Sequence, residues 1–141
     1  MGGINIGRWL AGGIAAAVVT FLMEGLWSTM YMEQAEAAMA NLGLTMDMTG
    51  ATWVLAIVVS LILGMALVFF YAMARPRFGP GPLTAIKVTV AFWIGGYLLQ
   101  LIGYHMAGFY PGSLLVMWGW QGLVSMVLAT VVGGWIYKEE S

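Results

Sequence analysis

Apolar residues run in four stretches, about residues 9–32, 53–74, 83–104 and 113–137; the segments between them hold all four prolines, and those between and flanking them hold most of the charge. A helix of roughly 20 residues, rising ~1.5 Å per residue, crosses a hydrocarbon core about 30 Å thick. Only Glu24 and Lys87 place a charge inside a stretch. The pattern predicts an all-α, polytopic membrane protein whose single domain, residues 1–141, is a bundle of four transmembrane helices.

The separators carry their own signals. Residues 33–42 form helix readily but are polar on one side, so they either extend the first helix or make a short interfacial one, stopping at Asn41 and Gly43. Residues 45–50 read as loop, with Thr49 or Thr52 capping the second helix. The run Arg75-Pro76-Arg77-Phe78-Gly79-Pro80-Gly81-Pro82 forbids a continuous helix. Residues 105–112 form the next turn, and Ser113 caps the fourth helix. Arg8 followed by an apolar run and Ala35-Glu36-Ala37 imitates a signal peptide. The run is too long for that, contains Glu24 and puts the small residues too far downstream. A retained first membrane helix is expected.

Composition strengthens the membrane reading. Hydrophobic residues make up 62% and charged residues 8%, more apolar surface than a soluble domain of 141 residues can hide. A net charge of −1 offers no nucleic-acid footprint. Without cysteine there is no thiolate chemistry, disulfide or Cys-ligated metal. All five basic residues, Arg8, Arg75, Arg77, Lys87 and Lys138, fall at the membrane face that holds both termini. The positive-inside rule then puts both termini in the cytoplasm. These side chains are expected at lipid headgroups, Lys87 by snorkelling.

The first stretch carries the most informative residue. One helical face reads Gly13, Ala17, Thr20, Glu24, Trp27, Tyr31, small at one end and polar-aromatic at the other. An intramembrane carboxylate is costly, so it faces partners rather than lipid. On α-helical spacing the third helix offers Trp93, Tyr97, Gln100 and Tyr104, and the fourth offers Trp118, Gln121 and Ser125, at similar depth, with Ser60 near in height. The expected cluster is therefore Glu24, Trp27, Tyr97, Gln100, Tyr104, Trp118 and Gln121. Two uses fit it: an outward-facing pocket for a ligand, proton or quinone-like group, or a lock in which protonated Glu24 donates to Gln100 or Gln121. Gly13, Ala17, Gly122, Ser125, Ala129 and Gly133 are expected at helix contacts, where small residues let backbones approach.

Other residues carry less. Met30-x-Met32 and Met46-x-Met48 near His105 have the softness for Cu(I), but flexible apolar filler explains them, and no metal or cofactor is expected. A lone histidine makes neither a multi-histidine site nor a catalytic pair, and no catalytic residue is assigned. The seven tryptophans suit interfacial belts.

Several stretches carry a resemblance: Ile4-Asn5-x-Gly7-Arg8 with Gly12-Gly13, Glu24, Ala37-Ala38-Met39-x-x-Leu42-Gly43, the Arg75 to Pro82 run, and Gly133-Gly134-Trp135-Ile136-Tyr137-Lys138-Glu139. The chain resembles a group of small four-helix bacterial membrane proteins. That implies a bacterial inner (cytoplasmic) membrane and no particular activity. The expected function is non-enzymatic: a small accessory or scaffold subunit of a larger respiratory or photosynthetic assembly. Its partners would be membrane lipids and other integral membrane subunits. The alternative is a protein handling a small molecule, quinone or proton at the Glu24 pocket. A lipid- or quinone-modifying enzyme ranks third, lacking an acid–base pair, metal set or nucleotide motif.

Overall fold

The computed structural model describes residues 3–138, so Glu139, the last residue of the resemblance stretches, lies outside the described residues. Four helices, each long and apolar enough to cross a membrane, account for nearly all of it: α1 (Ile6–Asn41), α2 (Gly50–Phe78), α3 (Pro82–Met106) and α4 (Gly112–Ile136). The described residues contain no strand.

Local chemistry sets the ends. Asn5 caps α1, its Oδ1 accepting from the Arg8 amide at 3.0 Å and satisfying one of the orphan donors of the first turn. The polar segment after Met32 continues α1 rather than forming a separate helix. At 36 residues α1 is roughly 54 Å long and outreaches a hydrocarbon core by more than about 20 Å. It stops where Gly43 takes φ +72° and the Gly43 and Leu44 amides bond back to Ala40 and Met39.

The second helix corrects an expectation. It runs through Pro76 to Phe78 instead of ending at Ala74. A single proline removes one backbone donor. The Gly79 amide closes the turn beyond it on Arg75 O at 2.9 Å. Reversal waits for Gly79 and Gly81, at φ +81° and +123°, which only glycine adopts cheaply. Thr84 Oγ1 donates to Gly79 O at 2.7 Å, and the Gly81 amide donates to Tyr71 Oη at 3.0 Å, fixing the turn. Thr49 occupies the α2 cap without a side-chain capping bond, its hydroxyl pairing with that of Thr52 instead, and α4 begins at Gly112, preceded by Pro111, with no cap from Ser113.

The α3 helix changes pitch midway. Residues Trp93–Leu98 form a π turn that includes the exposed pair Gly95 and Gly96, and α-helix resumes at Leu99. A π turn accommodates one extra residue and so rotates everything beyond it.

The helices alternate in direction, and α4 packs against all three others. Helix α1 packs on α2 and α4, α3 packs on α2 and α4, and α1 and α3 do not pack on each other. Near the termini, three helices meet through small residues. A Cβ on Gly12 would lie 2.5 Å from Gly133 O, and one on Gly64 would meet the backbone of Gly13 and Ala17. Leu67, Val68, Tyr71, Met126, Ala129 and Tyr137 fill the core around that junction. A second cluster, Tyr31, Ala35, Ala38 and Leu114 with Trp27, Tyr110 and Trp118, holds the end remote from both termini, the distal end. Outer faces stay apolar, as Leu22, Ile62, Val116 and Trp135 show. Lipid, not water, suits such a surface.

Candidate functional site

Glu24 stands about 27 Å along α1 from Ile6, in the distal half. One turn beyond it toward the distal end, the helix is pinned to α4. The Trp27 indole donates to Ser125 Oγ at 2.8 Å, and Ser125 Oγ donates to Gln121 O at 2.9 Å. Two turns above Glu24 on the same face, the Tyr31 hydroxyl donates to Glu24 Oε1. Tyr31 also packs edge-on against Trp118 of α4, ring centroids 5.6 Å apart. These contacts fix the carboxylate beside α4 while leaving its side chain exposed.

Tyr97 enters from α3. It belongs to the π turn, and its ring fills the space left by the missing side chain of Gly122, where a Cβ would stand 2.7 Å from Tyr97 Cε1. Because α1 and α3 do not pack on each other, a cavity of about 150 Å³ remains between them and α4. Glu24, Tyr31, Tyr97, Trp118, Gln121 and Gly122 line it.

Gln121 is the unusual member. It is only 2% exposed. Its Nε2 faces Met30 Sδ at 3.9 Å, and its Oε1 has no partner. Thioether sulfur accepts and cannot donate, so this orientation of the amide is the favourable one. It leaves a fully buried carbonyl oxygen unused on a residue that lines the pocket. A buried acceptor without a partner costs about 1–3 kcal/mol.

Four members of the expected cluster, Glu24, Tyr97, Trp118 and Gln121, thus meet at one cavity, with Trp27 adjacent through Ser125. Gln100 and Tyr104 are elsewhere: Gln100 Nε2 donates to Tyr104 Oη at 2.7 Å, and Gln100 is exposed. The π turn is the reason. On α-helical spacing the inward face reads 93, 97, 100, 104; the wide turn makes it Trp93, Tyr97, Leu101. Leu101 is the buried residue and lies against Gly119. Tyr104 still reaches the pocket wall at second hand, stacking on Tyr110, which packs on Trp118 with centroids 5.0 Å apart. Tyr31 and Gly122 are the pocket members absent from the expected cluster, although the place of Tyr31 seven residues after Glu24 signals the shared face. Ser60 does not line the cavity.

Gly13 lies against Met65, Ala17 against Gly64, and Gly133 against Gly12 and Val68. Gly122 meets Tyr97, and Ser125 and Ala129 are buried on α4. Three tryptophans tie helices together rather than only girdling them: Trp9 donates to Met65 O at 2.9 Å, Trp93 to Gly119 O at 3.0 Å, and Trp27 to Ser125. At the end near the termini, Arg8, Arg77, Lys87 and Lys138 are exposed. Arg75 lies over the Tyr137 ring at 5.7 Å, and Lys87 over the Phe78 ring at 5.5 Å. Among the described residues no three His, Cys, Asp or Glu side chains converge. No family model, curated relative or solved structure matches the chain.

Proposed function

We propose that this is a multi-pass integral membrane protein that admits a small polar solute or a proton to the pocket around Glu24, without itself catalysing a reaction. The observation that carries the reading is the unmade lock. A structural lock would join Glu24 to Gln100 or Gln121 across helices. Here Glu24 accepts from Tyr31 of its own helix, Gln100 turns away, and Gln121 is buried with an unused acceptor. Interhelical side-chain bonds in membranes contribute about 0.6 kcal/mol on average, less than the penalty of a stranded acceptor. An occupant that pairs with Gln121 offsets that penalty.

In this reading the pocket faces outward and both termini are cytoplasmic, supported by the five basic residues at the terminal end. The setting is a bacterial inner membrane, as the motif resemblance implies. The accessory-subunit reading retains one supporting observation. The overhang of α1 displays the exposed residues Glu33 and Glu36, and a groove of about 610 Å³ separates its end from Phe109, Tyr110 and Ser113. Another integral subunit could dock there.

Cysteine scanning tests the pocket reading, since the chain has no native cysteine to give background. Gln121→Cys should react with aminoethyl methanethiosulfonate in detergent micelles despite its burial. Leu67→Cys, in the dry core, should not. If Gln121→Cys is as unreactive as Leu67→Cys, the pocket is sealed and the reading fails.

A further inference from the structure

Between α2 and α3, in the half nearest the turn that joins them, lies an open groove of about 640 Å³. Helix α2 contributes Phe70, Met73 and Ala74, and α3 contributes Val88, Ala91 and Phe92, so the walls are apolar. The Phe70 and Phe92 rings meet across it, centroids 5.6 Å apart. Gly95 and Gly96 of the π turn complete the lining, and nothing lies within 4 Å of a Cβ built on either. The channel is space that no side chain of the protein fills.

Charge stands at one end of it. On α2 the face of Phe70, Met73 and Ala74 continues by one turn to Arg77. On α3 the row Gly95, Ala91 continues back, four residues at a time, to Lys87. Both cations are exposed, and Lys87 Nζ stands over the Phe78 ring at 5.5 Å, beside Arg77 in the chain. The described carboxylates, Glu24, Glu33, Glu36 and Asp47, all belong to the distal half. From Lys87 to Gly95 the groove runs about 12 Å along α3, against roughly 15 Å for half of a 30 Å hydrocarbon core.

Two cations at headgroup level above an apolar channel one leaflet deep call for an anionic head on a hydrocarbon tail. A soluble anion would use the cations and leave the channel empty. An uncharged hydrocarbon would do the reverse, and a zwitterionic lipid brings its own ammonium towards Arg77 and Lys87. We propose that the α2–α3 groove binds one anionic phospholipid, its headgroup at Arg77 and Lys87 and an acyl chain along Ala91, Gly95 and Gly96. This site is separate from the Glu24 pocket and does not depend on it.

The test offers the whole chain, in mild detergent, equal amounts of dioleoylphosphatidylglycerol and dioleoylphosphatidylcholine and measures retained lipid by native mass spectrometry. About one phosphatidylglycerol per chain should remain, favoured at least about tenfold, within what two cations near a headgroup supply. Arg77→Gln/Lys87→Gln should bring the ratio close to one. Arg8→Gln, at the same end of the bundle but on α1, which does not pack on α3, should leave it unchanged. Gly96→Leu fills the channel from a position with open space around it and should remove most of the retained lipid. Thermal unfolding shows that each variant is folded, and Gly95→Leu serves if Gly96→Leu is not. Glycerol 1-phosphate in large excess should not displace the lipid. Retention without preference, a ratio lowered as much by Arg8→Gln as by Arg77→Gln/Lys87→Gln, or full retention in the leucine variant overturns the proposal. Displacement by glycerol 1-phosphate would show a phosphate site without an acyl-chain channel and overturns it too.

Discussion

Replacing Gly64 by alanine should loosen the α1–α2 contact that sets the spacing of the bundle. A Cβ built on Gly64 meets Ala17 N, Gly13 O at 2.5 Å and Ala17 Cα at 2.8 Å. All three are backbone atoms, so no side chain can swing away. Ordinary contact begins near 3.4 Å, so the helices must part by about 1 Å at this point. Overpacking of that kind costs about 1–3 kcal/mol. The gain from replacing glycine by alanine inside a helix, about 0.5–1 kcal/mol, opposes it. Gly25→Ala isolates that gain, because nothing lies within 4 Å of its built Cβ. The two variants should therefore differ by about 2 kcal/mol, or roughly thirtyfold in the folded-to-unfolded ratio. Reversible unfolding in mixed micelles reads the difference. Trp9, bonded to Met65 O beside this contact, serves as the fluorescent reporter. If Gly64→Ala proves as stable as Gly25→Ala, the close approach of the helices is wrong.

Two other outcomes are expected. Thr130→Val removes the acceptor of the buried Thr89 hydroxyl, now 2.7 Å away, and should cost about 1 kcal/mol, with Thr89→Val/Thr130→Val recovering part of it in a double-mutant cycle; a cycle without coupling would deny the bond. Cysteines at Thr45 and Phe109 should label from outside intact cells and one at Pro80 only after lysis, since the basic residues sit at the Pro80 end; external labelling at Pro80 would invert the orientation.

The four spans were legible because lipid-facing helices cannot disguise their composition, and the small-residue contacts followed because close backbone approach in lipid demands them. Gly13, Ala17 and Gly133 sit where their spacing puts them. What escaped the sequence was a change of pitch. Trp93–Leu98 contains nothing that distinguishes a π turn from an α turn, so uniform spacing placed Gln100 inward where Leu101 is. The partner of Glu24 escaped for a related reason. Depth matching pairs residues across helices, whereas Tyr31 lies on the same helix two turns on. Pro76 likewise read as a break, although the reversal belongs to the glycines after it.

The central claim is that Gln121 is held ready for something outside the chain rather than for the fold, and the stability of ligand-free Gln121→Leu tests it most directly. Leucine removes the stranded acceptor at similar volume, and the only bond lost is the long Nε2 contact to Met30 Sδ at 3.9 Å. Removing an unpartnered buried group relieves its desolvation penalty, so the variant should unfold at the same or higher denaturant than the unmodified chain. A loss of about 1 kcal/mol or more would mean that Gln121 holds the bundle together, and would contradict the account.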